Sequence, residues 1–228
     1  MVITIDEMKE LEFLAVDRGI SINQLMENAG KQVFRAIRKK ADLKSKHIVV
    51  FAGHGNNGGD GFVAARYFAQ ECPVIVLFFG AEEKMGTETL RNYTKINKQI
   101  TVIKVNAEED LQQFRFQKGA ELILIDALLG TGVKGPPNEN IKRGIGYFNS
   151  LDGFKVAVDV PTGIHPDTGE VSETACTVDL IVALHDLKKG LEALQEKSVI
   201  VDIGMPKREE NEMTDQLPDE SLTDQRKP

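Results

Sequence analysis

Hydrophobic positions recur along this chain in two rhythms. Between residues 5 and 40 the spacing is helical. Met8, Leu11, Phe13, Leu14 and Ala15 lie close to one stripe, with Asp6 as the expected N-cap and Gly19 as the stop. Ser21, with Gln24 three residues on as in a capping box, opens a second helix. Its apolar face is Leu25, Met26, Ala29, Val33 and Ile37, and the stretch from Arg35 to Lys40 places positive charge at its C-terminal end. Beyond that point the rhythm changes. Runs rich in β-branched residues occupy 47–52, 74–79, 100–105, 122–128, 155–160, 178–184 and 199–203. Most are continuous rather than alternating, as expected of strands covered on both faces. Helical stretches are expected between them at 61–71, about 86–98 and 107–117. The order predicts an α/β fold, a mainly parallel sheet between helix layers with helices at its N-terminal end. Ligands in such folds gather where the strands end.

Composition narrows the function classes. The 228 residues suit one domain, assigned to 1–206. From 207 to 228 hydrophobic periodicity is lost, with Met213, Leu217 and Leu222 as the only sizeable apolar residues, so a disordered charged tail is expected there. A net charge of −7 offers no basic stripe, which argues against nucleic acid and anionic membrane as partners. No run approaches the roughly 20 apolar residues of a membrane span. Early acids without a long apolar core do not make a secretory signal. Cys72 and Cys176 lack CxxC spacing and read as reduced thiols. A cytoplasmic location follows as an expectation.

The chemistry is concentrated in three turns. FAGHGNNGGDGFVAA, residues 51–65, sets five glycines, two asparagines and one aspartate between a strand and a helix. Its GxGxxG spacing is weak by itself, and no lysine follows to make a phosphate loop of the Walker type. Gly58, Gly59 and Gly61 are expected to let backbone approach a ligand and to tolerate positive φ. Their N–H groups, with the helix N-terminus after Asp60, would form an anion cradle. Asn56 and Asn57 offer amides to ligand oxygens or to a hard cation. Asp60 reads equally as the helix N-cap. ILIDALLGTGVKGPP places Asp126 inside an apolar strand and then opens a glycine turn. VAVDVPTGIHPDTGEV places Asp159 at another strand end, followed by Pro161 and Thr162. Buried carboxylates are costly unless paired, hydrogen-bonded or bound to a cation, so two of them at comparable strand positions point to one shared site.

GNNGGDG, the D-x-x-x-G-T-G-x-x-G-P stretch and DVPTG, with Leu25-Met26-Glu27-Asn28-Ala29-Gly30 on the second helix, together resemble the YjeF N-terminal domain family of NAD(P)HX epimerases. The similarity runs over roughly residues 5–206. It implies a Rossmann-like three-layer α/β/α sandwich, a homodimer, and interconversion of the S and R forms of hydrated NADH or NADPH (NADHX, NADPHX) at C6 of the nicotinamide ring. It also implies coupling to an NAD(P)HX dehydratase, here expected on a separate polypeptide. Carried over by motif, Asn56, Asn57, Gly58, Gly59 and Asp60 would line the dinucleotide site. So would Gly130, Thr131, Gly132, Val133, Lys134, Gly135 and Pro136. Asn57, Asp126 and Thr162 match potassium ligands. Asp159 matches the acid beside the substrate ring, where an acid–base role is expected; ring opening and hydroxide loss both stay open as routes.

Two departures stand out. His54 takes a position where relatives commonly have proline, and its side chain is expected to face solvent. VDLIVALHDLKKGL stands where relatives usually have a threonine–phenylalanine strand followed by a proline-containing turn, which leaves the packing of the last strand and the nearby pocket wall open. Two other functions compete. A scaffold of the RNA-decapping type would not need its aspartates and glycine turns intact. A conventional NAD-dependent oxidoreductase leaves Asp126 and Asp159 unexplained.

Overall fold

A computed structural model describes residues 2–112, 116, 119–132 and 135–207. The chain begins with β1 (Val2–Ile3), α1 (Ile5–Asp17) and α2 (Ile22–Lys40). It then alternates through β2 (Lys46–Ala52), α3 (Asn56–Phe68), β3 (Val74–Phe78), α4 (Thr87–Ile96), β4 (Thr101–Lys104), α5 (Glu108–Gln112), β5 (Glu121–Ala127), α6 (Glu139–Ser150) and β6 (Phe154–Val158). It closes with β7 (Leu180–Leu184), β8 (Leu187–Lys188), a 3-10 segment over Lys189–Lys197, and β9 (Ser198–Val201).

Seven strands form one parallel sheet in the order β4-β3-β2-β5-β6-β7-β9. The chain builds outward from β2 to β4, then returns to β5 on the other side. The switch point therefore lies between β2 and β5, where α/β folds open a crevice. Alternate residues of each strand feed two separate cores. Ile48, Val50, Ile123, Ile125, Val156 and Val158 join α1 to α4 on one face. Val49, Phe51, Leu122, Leu124, Ala157 and Ile181 join α5, α6 and the 3-10 segment on the other. Burial on both faces is why these strands are continuous apolar runs, and a three-layer sandwich results. β1 pairs with β8 in a small separate parallel sheet, Ile3 opposite Lys188.

All seven expected strands form, and β7, despite its unusual sequence, is buried along its whole length. Several local expectations are corrected. Thr4, not Asp6, caps α1, in a reciprocal capping box with Glu7. Ser21 does accept from Gln24 N. Helix α3 starts at Asn56 with Gly55 as N-cap, so Asp60 lies in its second turn and caps nothing. Gly58, Gly59 and Gly61 have no positive φ. A Cβ at Gly58 would fall 2.0 Å from the Gly53 carbonyl oxygen, and one at Gly61 2.6 Å from Ala127 Cβ. These glycines let a helix sit against the β2 and β5 ends. Gly30 of α2 meets Val63 of α3 in the same close manner. The expected tail at 207–228 falls, from 208 onward, outside the described residues, as does most of 113–117.

Candidate active site

The turns after β2 and β5 and the end of β6 are tied together by side chains. Asn57 Nδ2, in the first turn of α3, donates to Leu129 O at 2.8 Å. Leu129 N donates to Thr162 Oγ1 at 3.1 Å. Thr162 in turn donates through both N and Oγ1 to Asp126, each at 2.7 Å, and Leu128 N adds a third donor at 3.2 Å. Asp126 is fully buried, and burial raises its carboxyl above the ordinary range while these donors, and the Cys176 thiol, pull it back. The sequence thus folds a strand-borne carboxylate into a knot that fixes two loops against a helix start.

In front of the knot opens a cavity of about 380 Å³. Asn56, Asn57 and Asp60 reach it from α3, Gly130, Thr131 and Gly132 from the turn after β5, and Asp159 from the end of β6. Helix α1 forms another wall with Ile5, Met8, Lys9 and Glu12. His54 also lines the space and has its Nδ1 buried without a partner, so it is not simply a solvent-facing side chain. Gly58 and Gly59 do not line it. Gly135, Pro136 and Thr162 line a second cavity of about 340 Å³, which shares Leu129 and Gly130 with the first. Val133 and Lys134 lie outside the described residues.

Asp159 occupies a strained position, with φ of +66°. Non-glycine residues rarely adopt this region, and it persists where surrounding contacts enforce it. Three contacts do so here. Asp159 N donates to Val182 O at 2.9 Å. Its Oδ1 accepts from Leu184 N at 3.0 Å and from Lys188 Nζ at 2.5 Å. Lys188 is 0% exposed, and its ammonium also donates to Leu184 O at 2.7 Å and Asp186 O at 3.2 Å. A buried ammonium with one carboxylate and two carbonyls is satisfied as an ion pair. Among the described residues Oδ2 of Asp159 makes no protein hydrogen bond. Asp60 is the contrast: burial first, then the nearby Asp159 and Glu12 charges, push its carboxyl well above the ordinary range. Asp159 is thus paired with a cation while Asp60 is pushed toward its neutral form, the division from which acid–base sites are built.

Lys188 and Glu12 escaped the reading of the sequence. Lys188 is one of two adjacent lysines in HDLKKGL, and nothing local marks which is buried. Glu12 sits beside the stripe of Met8, Leu11 and Ala15, as a solvent-facing helix residue would.

Known proteins share this arrangement of elements. The sequence model described as YjeF-related protein N-terminus matches residues 22–190. The NAD(P)H-hydrate epimerase of Nitrosopumilus maritimus is 36% identical over 193 residues, 84% of this chain and 88% of the relative. That of Elusimicrobium minutum is 31% identical over 218 residues, 90% of this chain and 96% of the relative. The bifunctional NAD(P)H-hydrate repair enzyme Nnr of Archaeoglobus fulgidus is 38% identical over 196 residues, 85% of this chain but 39% of the relative. The crystal structure of the yeast protein ynu0 superimposes with a TM-score of 0.77 at 24% identity, over 89% of this chain and 88% of that one, a likeness of fold. With its family model matched over most of its length, the chain belongs to the YjeF-related protein N-terminus family.

Proposed function

We propose that this chain is an NAD(P)H-hydrate epimerase that interconverts the S and R hydrates of NADH and NADPH at C6 of the nicotinamide ring. The observation that carries the reading is the Asp159–Lys188 pair at a strained strand end, opening on a cavity beside the Gly130–Gly132 turn. Support comes from two relatives named NAD(P)H-hydrate epimerase, of which this chain covers 88% and 96%. A relative named bifunctional NAD(P)H-hydrate repair enzyme, twice as long and more, supports coupling to a second repair activity.

The residues act as follows. The cavity is large enough for one nucleotide half of the substrate, by the usual size of small-molecule sites. The N–H groups of the turn at Gly130–Gly132 suit its pyrophosphate. The C6 hydroxyl is carried by the carbon next to ring nitrogen N1: taking its proton lets the C6–N1 bond break to an aldehyde as N1 gains a proton, and protonating it lets the C6–O bond break with loss of water as the N1 lone pair forms N1=C6, so either route makes C6 planar. Asp159 Oδ2 is the proton acceptor, and Lys188 pairs with Oδ1 and orients the carboxylate. Asn56, Asn57 and Asp60 complete the binding wall.

Asn57, Asp126 and Thr162 fit a potassium ion. Among the described residues no ammonium or guanidinium pairs with the buried Asp126 carboxylate, and the surrounding donors are neutral oxygens: the Asn57 amide, the Thr162 hydroxyl and the Leu129 carbonyl. A weakly polarising monovalent ion suits one carboxylate among neutral oxygens, by the same logic as other hard cations. When bound it supplies charge balance for Asp126.

The same reading takes 1–206 as one domain, acting as a homodimer in the cytoplasm. No helix among the described residues is long and apolar enough to cross a membrane. The test is to incubate purified protein with the separated S and R hydrates and follow the epimer ratio with time, in potassium and in a large organic cation. Approach to one common ratio from both sides, faster in potassium, is expected. Consumption of one hydrate without appearance of the other would replace this reading by a different reaction.

A further inference from the structure

We propose that Glu12, on helix α1, is a second acid–base catalyst of the epimerisation, working across the cavity from Asp159. The inference rests on the function proposed above. It adds a residue that lies outside the segment matched by the family model, which begins at residue 22.

The starting observation is a carboxyl group with nothing to do in the fold. Asp126 has three donors and Asp159 has Lys188 and Leu184 N. Glu12 lines the same cavity, half-buried, and its carboxyl makes no protein hydrogen bond among the described residues. A helix residue that needs no partner would turn to water. This one is directed inward by the packing of its neighbours, because Met8, Leu11 and Ala15 bury the adjoining stripe. The helix is also fixed at its start by three unrelated contacts. Thr4 and Glu7 cap it, Ile5 N donates to Asp167 Oδ1 at 2.8 Å, and Ile3 of β1 pairs with Lys188 itself. The element that presents Glu12 is therefore registered against the element that presents Lys188. Positions held this way on rigid elements are where catalytic geometry can be kept.

The groups facing Glu12 set its protonation. Asp159 at the end of β6 and partial burial raise its carboxyl, burial being the larger cause, while Lys188 of β8 and Lys9 of α1 lower it by less. Asp60 of α3, itself pushed toward its neutral form, and His54 share the cavity. Two carboxyl groups from two walls thus face one cavity, one on α1 that burial and Asp159 shift toward its protonated form and one paired with Lys188.

Inversion at C6 calls for such a pair, since the hydroxyl leaves one face of the ring and returns to the other. Glu12 donates its proton to the C6 hydroxyl oxygen. The C6–O bond breaks with its electron pair leaving as water, and the N1 lone pair forms an N1=C6 double bond. A water molecule then adds to C6 from the opposite face, closing that π bond back onto N1 and giving its proton to Asp159. Glu12 is left ionised and Asp159 protonated, and exchange with solvent through the mouth restores both. In the reverse direction the two roles interchange.

The experiment compares wild type with E12Q, E12D and E12A, measuring kcat and KM for each epimer across pH, alongside thermal melts. E12Q should lose about 100-fold or more in kcat with KM changed by no more than about threefold. The wild-type fall in kcat as pH rises through the Glu12 ionisation should be absent from E12Q and present, shifted, in E12D. Acetate or formate added to E12A should restore part of the rate, which a structural role would not allow. E12Q within threefold of wild type overturns the proposal. So does a loss in E12A that tracks a lowered melting temperature and is not rescued. A wild-type protein that fails to epimerise either hydrate defeats the function itself, a different failure from an active wild type with an active E12Q.

Discussion

Replacing Lys188 with methionine keeps the length of the side chain and deletes its charge. The structure specifies what is lost. Asp159 Oδ1 keeps only Leu184 N as donor, and the carbonyls of Leu184 and Asp186 lose the ammonium at 2.7 and 3.2 Å. With Lys188 0% exposed and the Asp159 side chain 8%, water cannot replace the partner cheaply. Breaking a buried pair by removing one member costs about 3–5 kcal/mol. For a chain of this size that is a melting temperature lower by roughly 6–20 °C. The chain has no tryptophan, so unfolding in urea is best followed by far-UV circular dichroism. Asp159→Asn and the double variant complete a cycle. The double variant should be less destabilised than the sum of the two singles by about 1–3 kcal/mol, because each single leaves a charge without its partner. Additivity within about 0.5 kcal/mol, with K188M costing less than about 1 kcal/mol, would show that the pair does not hold the strand end as described.

Further outcomes are expected. Asp60 holds its proton more tightly folded than unfolded, so its contribution to stability is present at low pH and declines as pH rises through its elevated native ionisation. Asp60→Asn should therefore melt higher than wild type at about pH 8, with the gap closing toward about pH 4; a constant gap would contradict this. Gly58→Ala places a Cβ 2.0 Å from the Gly53 carbonyl oxygen, a backbone atom with little freedom to yield. It should cost about 3 kcal/mol or more, seen as a melt lower by at least about 6 °C. Thr162→Val should abolish the rise in melting temperature that potassium gives wild type over a large organic cation; an undiminished rise would remove Thr162 from the proposed ion site.

The strands were legible because burial on both faces leaves a continuous apolar signature, as in ILIDAL and LIVAL. Helix α6 was not, since Gly144 and Gly146 interrupt it and Pro136-Pro137 precede it, although Ile141, Ile145 and Phe148 make a helical stripe. At GNNGGDG the expected positive φ is absent, and the close neighbours of Gly58 and Gly61 are protein atoms. Density of glycine reads the same whether the close neighbour is a ligand or the protein's own backbone, and here it is Gly53 and Ala127. Asp126 and Asp159 were visible because a charge among apolar residues is conspicuous, and Asp60 because it stands in the glycine motif. Lys188 was hidden because it stands beside a second lysine, and Glu12 because a carboxylate next to an amphipathic stripe reads as a solvent-facing helix residue; the pairing of β1 with β8 registers their elements against each other.

The central claim is that Asp159, held by Lys188, handles the proton at C6. It is tested most directly by the equilibration rate of the separated hydrates with wild type and with folded Asp159→Asn at equal concentration in potassium buffer. The account predicts that both epimers converge on one ratio with wild type, and that the variant slows this by about 100-fold or more while still binding the dinucleotide. Equal rates for the two proteins would contradict it.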